Sequence, residues 1–172
     1  MGRLLRCLFY GLLAPLCLVG GAGAATMVLD RYAGSFAASG TILKGPNANS
    51  HQVRCRFTAS RQGATGLSLR GTCRAYLVLS RSISVDLTWD PRSGRVTGTY
   101  TGSRVGTAQL EGRQAGADLD LTLTWPAPLY GDTTANLRVG SLRSDRYRIV
   151  VMDRIGTTGP VRATTDLTLV RR

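Results

Sequence analysis

Apolar and polar residues alternate along most of the chain after its first 25 positions. In residues 118–125 a leucine or tryptophan occupies every second position, and aspartates and threonines occupy the positions between them. The same period of two recurs in residues 53–58 and 83–89. Successive side chains of a β-strand point to opposite faces, so this pattern predicts antiparallel strands with one buried face and one solvated face.

Turn-forming residues separate these apolar runs. In the clearest turn, Pro91 presets one backbone angle and Gly94 can adopt a left-handed conformation, which together predict a hairpin. Runs bounded by such signals predict nine or ten strands, with residues 73–87 forming one long bent strand or two. The runs cover residues 33–42, 52–60, 66–72, 75–80, 82–89, 95–101, 107–113, 118–125, 135–141, 147–153 and 163–170, of which 75–80 and 82–89 are a single strand if residues 73–87 form one bent strand. No helix periodicity follows the first 25 positions.

The short connections between these strands favour an up-and-down meander. A sheet that closes on itself has no exposed edge, and closure is a common solution for an antiparallel sheet of this size. We therefore expect an all-β domain in which an antiparallel meander closes into a barrel of about 8–10 strands. A two-sheet β-sandwich is the alternative.

Four short segments resemble small exported bacterial β-proteins of uncharacterised function. The segments are 34–36 (GSF), 97–100 (TGTY), 102–105 (GSRV) and 123–125 (LTW). Such proteins are broadly similar to calycin-type barrels, so the resemblance implies a calycin-like barrel and an exported location. It extends over most of the chain beyond the first 24 residues, and it implies no catalytic residues.

Residues 1–24 have the pattern of a secretory signal peptide. Two arginines precede an uncharged apolar stretch, and small residues follow it. We expect cleavage after Ala24, with Ala25 as the alternative position, and an uncleaved membrane anchor as the competing interpretation. Cleavage would leave residues 25–172 as one periplasmic or secreted domain.

The chain is strongly basic, with a formal net charge of +12. Loss of the signal peptide, which contains two arginines and no acid, would lower this charge to +10. Lys44 is the single lysine, and the arginine excess suits phosphates and carboxylates or reflects a GC-rich genome. The charge favours anionic neighbours such as envelope glycans. Aromatic residues make up 6% of the chain, which argues against a nucleic-acid surface built on base stacking.

Only two cysteines, Cys55 and Cys73, lie beyond the predicted signal peptide. Two cysteines in an oxidising compartment predict one disulfide, and two free buried thiols are the alternative. Closing the loop between them should stabilise the fold by about 3 kcal/mol.

Catalytic chemistry has little support in the sequence. His51 is the only histidine and lies in a turn-rich stretch, which predicts a solvated loop residue. Asp86, Asp118 and Asp120 could form a carboxylate pair for a hydrolase, or they could be solvent-facing charges opposite arginines. The chain contains no phosphate-binding loop and no calcium-binding loop, so we predict no cofactor, no metal site and no catalytic residues.

The most concrete hypothesis is a non-enzymatic binding module for a small apolar or anionic ligand. The Pro-rich segment 125–133 would be a lid or wall at the barrel mouth, or a plug that fills one end. A structural or interaction protein of the envelope is the alternative, and a carboxylate-based hydrolase is a remote one. The predicted ligand wall consists of Trp89, Tyr100, Trp125 and Tyr130, with Arg54 or Arg56 steering an anion.

Overall fold

The fold is a closed antiparallel barrel in a computed structural model that describes residues 28–45, 49–76 and 79–172. The predicted signal peptide and its cleavage site lie outside the described residues. A 3₁₀ helix, Val28–Tyr32, precedes ten strands. The strands are β1 Gly34–Leu43, β2 Ser50–Gln62, β3 Gly66–Ala75, β4 Leu79–Trp89, β5 Arg95–Thr101, β6 Ala108–Ala115, β7 Asp118–Thr124, β8 Thr134–Arg143, β9 Arg146–Arg154 and β10 Val161–Arg171.

Each strand pairs with the next strand along the chain, and β10 pairs with β1 to close the barrel. The predicted all-β meander and its closure are therefore confirmed, and the sandwich alternative is excluded. Inward side chains alternate with outward ones, as in β7, where Leu119, Leu121 and Leu123 are buried between exposed neighbours. The inner face forms one continuous apolar core.

The hairpin between β4 and β5 has the predicted conformation. Gly94 adopts a left-handed backbone, with φ of 69°, and its N–H donates to the carbonyl oxygen of Asp90 at 2.8 Å. The Asp90 carboxylate accepts a further hydrogen bond from the backbone N–H of Arg92 at 2.9 Å. This turn is thus specified by local sequence.

The prediction for residues 75–80 as a strand is wrong. β3 ends at Ala75 and β4 begins at Leu79, and these two residues are antiparallel partners, so the chain reverses between them. Tyr76 adopts φ of 57°, a left-handed conformation that a tyrosine seldom takes. Residues 75–80 contain no Gly, Pro, Asn or Asp, so the sequence has no turn signal at this position.

One end of the barrel is closed by the 3₁₀ helix. Leu29 is fully buried there, and the Tyr32 hydroxyl donates to the carbonyl oxygen of Ala117 at 3.1 Å. The Tyr147 hydroxyl, from inside the barrel, donates to the carbonyl oxygen of Arg31 at 2.6 Å. Side-chain hydrogen bonds therefore fix this short segment across the end of the sheet.

The predicted disulfide is confirmed and joins β2 to β3. Cys55 and Cys73 are directly opposed in the register of the two strands. Both side chains belong to the inward face, because they alternate with exposed arginines along their strands.

We expect the double variant Cys55→Ala/Cys73→Ala to lose about 3 kcal/mol of unfolding free energy, because its unfolded chain regains the entropy of the open loop. Urea unfolding of the variant and the parent measures this loss. A reducing agent should destabilise the parent similarly and leave the variant unchanged. A variant as stable as the parent would contradict the entropic role given to the bridge.

Candidate ligand cavity

The barrel interior is hollow. It contains a cavity of about 530 Å³, lined mainly by leucine, isoleucine, valine and aromatic side chains. Several inward residues remain half-buried although they point into the barrel, among them Val85, Leu137, Val139 and Ile149. Their partial exposure shows that the cavity surface is accessible.

The cavity opens at the end opposite the 3₁₀ helix. His51, Arg81 and Arg104 lie along this rim, together with two exposed apolar residues. These two are Tyr76, which is 67% exposed, and Leu79, which is 47% exposed. The Tyr76 hydroxyl and His51 Nδ1 share a hydrogen bond of 2.6 Å. The rim is therefore partly apolar and partly basic.

Segment 125–133, which connects β7 to β8, covers part of this end. The Tyr130 hydroxyl donates to the carbonyl oxygen of Leu43, and the Tyr130 carbonyl accepts from the Gly156 N–H at 2.6 Å. Arg104 donates to the carbonyl oxygen of Leu129 at 3.2 Å. The segment is thus anchored to the end of β1 and to the β5–β6 and β9–β10 connections, and it leaves the cavity only partly covered.

Two predicted aromatic residues form one wall under this segment. The rings of Tyr100 and Trp125 meet edge to face with their centroids 5.8 Å apart, and both line the cavity with Tyr130. Burial raises the pKa of the Tyr130 hydroxyl to about 12 and also raises the pKa of Tyr100. Both phenols are therefore neutral at pH 7.

A buried carboxyl group lies in the same part of the cavity. Asp153, on β9, is 2% exposed and lines the cavity with Thr164 and Trp125. The Thr164 hydroxyl donates to Oδ2 of Asp153. Within the described residues, Asp153 Oδ1 and Trp125 Nε1 have no hydrogen-bond partner. The interior thus contains one unsatisfied acceptor and one unsatisfied donor.

Burial raises the pKa of Asp153 above its ordinary value, and the nearby Asp132 carboxylate raises it further. The hydroxyl of Thr164 and the indole N–H of Trp125 counteract this shift only in part. The indole is therefore close enough to influence the carboxyl group, although the pair does not meet the geometry of a hydrogen bond.

The structure brings together half of the predicted ligand-binding residues. Tyr100, Trp125 and Tyr130 line the cavity. Trp89 does not, because it ends β4 beside the hairpin at the closed end of the barrel. Arg54 and Arg56 are exposed on the outer face, since they alternate with inward residues of β2.

The candidate hydrolase carboxylates are also on the outer face. Asp118 accepts from Arg138 at 2.8 Å and from the N–H of Ser141 at 3.0 Å, and these contacts lower its pKa. Asp120 lies 3.7 Å from Arg138. Asp86 is paired with Arg70. It lies on β4, three strand spacings from the two acids on β7, which is about 14 Å around the barrel. These acids are surface charges opposite arginines, and none lines the cavity.

Two cavity residues were not found from the sequence. His51 is half-buried within β2 at the rim, so the expectation of a solvated loop residue is wrong. Asp153 has the inward parity of Tyr147, Ile149 and Val151 on β9. That alternation was the signal that could have identified a buried acid.

No cluster of three or more potential metal ligands occurs within residues 28–45, 49–76 and 79–172. In the same part of the chain, no helix has the length and apolar character needed to span a membrane.

No protein-family model and no curated protein sequence matches the chain. A similar solved structure is the crystal structure of Rv2717c from M. tuberculosis, with 19% sequence identity and a TM-score of 0.66. The match covers 88% of this chain and 98% of Rv2717c. At this identity the similarity establishes a shared small β-barrel fold.

Replacing Asp153 by Asn tests the buried carboxyl group. Because its pKa is raised in the folded state, Asp153 stabilises the fold fully below the pKa of an unfolded aspartate, about 4, and this contribution is lost as the pH rises through the folded-state pKa. The unfolding free energy of Asp153→Asn minus that of the parent should therefore be larger at pH 7 than at pH 4. Urea unfolding at both pH values measures this difference.

Asp145→Asn, which makes the same substitution at an exposed position, is the matched control for the change of side chain itself. An Asp153→Asn variant whose stability relative to the parent is equal at pH 4 and pH 7 would show that the carboxyl titrates normally.

Proposed function

We propose that this protein is a non-enzymatic binding module that holds a small apolar ligand inside its barrel. The observation that carries the proposal is the accessible cavity of about 530 Å³, whose lining is predominantly apolar. Ligand pockets for small molecules typically have volumes of about 300–1,000 Å³ and a few placed polar groups among apolar walls.

The exposed apolar lining of the cavity supports ligand binding in preference to a core filled by side chains. Transfer of an apolar ligand from water into this space would be favourable by about 25 cal/mol for each Å² of apolar surface buried. The half-buried side chains Val85, Leu137 and Ile149 would lose their remaining exposure when a ligand enters. An anionic group on such a ligand would lie at the rim, near the guanidinium groups of Arg81 and Arg104.

The proposed location is the periplasm or the extracellular space. The signal-like segment 1–24 supports export, and the Cys55–Cys73 disulfide fits an oxidising compartment. The intact mass of protein recovered from its host distinguishes cleavage after Ala24 from retention of an anchor.

The neutral fluorescent probe N-phenyl-1-naphthylamine tests the cavity. We expect its fluorescence to rise on binding to the parent protein and its Kd to increase about tenfold or more in Val85→Trp, because the indole occupies cavity space and removes over about 1.4 kcal/mol of contact. Thr88→Trp is the matched control, since it places the same side chain on the exposed face of β4. Equal binding by both variants would place the probe outside the barrel.

A second candidate function is an interaction protein that contacts anionic envelope glycans. It is favoured by a basic patch formed by Arg54, Arg56 and Arg74 on the outer face of β2 and β3, where Arg54 and Arg74 are register partners. Among the described residues, no carboxylate lies within salt-bridge distance of these three arginines. Their charge is available to an anionic partner.

Immobilised heparin tests this surface. The triple variant Arg54→Ala/Arg56→Ala/Arg74→Ala should elute at a lower salt concentration than the parent, because fewer arginines contact the polyanion. A control triple variant of Arg70, Arg138 and Arg148, each paired with an aspartate, makes the same change in net charge. Equal loss of retention in the two triple variants would show a response to net charge without a defined patch.

A further inference from the structure

We propose that Asp153 and Trp125 form a polar subsite in the cavity that recognises the hydroxyl group of an otherwise apolar ligand. This inference rests on the proposed ligand-binding function and specifies the ligand's polar end. Its basis is the pair of buried polar atoms without partners, Oδ1 of Asp153 and Nε1 of Trp125, on the wall of one cavity.

Such atoms are uncommon in folded proteins, because a buried polar group without a partner is destabilising. The other oxygen of Asp153 is held by the Thr164 hydroxyl, so the side chain has a fixed orientation. Trp125 is fixed by its edge-to-face contact with Tyr100. Both groups are therefore positioned in advance, with one side left for a ligand.

The chemistry of the two atoms restricts the ligand group. The indole N–H only donates, whereas a carboxylate oxygen accepts. A hydroxyl group can accept from Trp125 and donate to Asp153 with a single oxygen atom. An ether can accept but not donate, and it would leave Asp153 Oδ1 without a partner.

Charged ligand groups fit less well. An ammonium group could donate to Asp153, but it has no acceptor for the indole N–H of Trp125, and the desolvation of a buried ion pair offsets its attraction to the carboxylate. A carboxylate would add a third negative group beside Asp153 and Asp132, the residue whose charge already acts on Asp153. The subsite is therefore matched to a neutral hydroxyl.

The position of the subsite defines how the ligand would lie. Trp125 begins segment 125–133, and Asp153 is near the end of β9, so both are at the part of the barrel end that this segment covers. The apolar part of the ligand would extend from there among the leucine and valine side chains that line the cavity. The rim at His51 and Tyr76 would remain the entrance.

Competition with bound N-phenyl-1-naphthylamine tests the inference. The competitors are 1-decanol, decyl methyl ether and decylamine, which have the same alkyl chain and different polar ends. We expect 1-decanol to displace the probe from the parent protein at about a tenfold lower concentration than the ether, the ratio expected when one buried hydrogen bond is left unmade. Decylamine should be weaker than 1-decanol.

Two variants distinguish recognition of the hydroxyl group from nonspecific partitioning of the alkyl chain into the cavity. In Asp153→Leu and in Trp125→Phe, the preference for 1-decanol over the ether should shrink several-fold relative to the parent, with each competitor measured against the Kd of the probe for that variant. Comparison of the ratio between proteins cancels the different hydration of the two competitors in water. Trp125→Phe keeps an aromatic ring beside Tyr100, so it provides the test if Asp153→Leu does not fold.

The outcomes distinguish the two proposals. If the probe does not bind the parent protein, the proposed ligand-binding function fails. If the probe binds but 1-decanol and the ether compete with the same ratio in all three proteins, the cavity function stands and the hydroxyl subsite is overturned, with the two polar atoms satisfied by each other or by water. A decylamine that competes better than 1-decanol in the parent would also overturn the assignment to a neutral hydroxyl.

Discussion

The pairing of β1 with β10 is the interaction on which the rest of the structure depends. It joins the first and last strands over the register from Phe36–Arg171 to Ile42–Thr165, so every strand has a hydrogen-bonded neighbour on both sides. Closure removes the exposed edges and separates an inner apolar face from an outer charged face. It also sets the width of the interior. Barrels of about eight strands are just wide enough for side chains to fill, so a ring of ten provides room for an internal cavity.

The two ends of this ring have different roles. The 3₁₀ helix Val28–Tyr32 closes one end through buried Leu29 and hydrogen bonds to carbonyl oxygens. At the other end, segment 125–133 crosses only part of the opening and is held through Tyr130. The asymmetry produces a cavity with a fixed floor, a partial cover and one rim. A barrel with both ends packed would have had no accessible interior.

The polar groups of the protein are distributed in a similarly uneven way. On the outside, aspartates are paired with arginines of neighbouring strands, and their contribution to stability is small because water screens them. Asp153 is different, because it is buried among apolar side chains with one oxygen unpaired. A carboxyl group in that position reduces stability unless a partner occupies the cavity. The surface acids therefore pair with arginines across neighbouring strands, whereas Asp153 is the acid that is buried within the described part of the chain.

Sequence alone determined the local features of this protein. Alternation identified the inward face of nearly every strand, turn residues located hairpins such as Asp90–Gly94, and the Cys55–Cys73 bridge followed from cysteine number. The sequence also singled out Trp125 and Tyr130, which line the cavity, because aromatic residues in a long connection are conspicuous. Only the tertiary structure decided that Trp89 lies at the closed end and that Asp153 lies beside Trp125. Periodicity reports which face a side chain occupies, a property of a few adjacent residues. The position of a side chain along the barrel axis and its neighbours across the cavity depend on the closure of all ten strands, which no local pattern encodes.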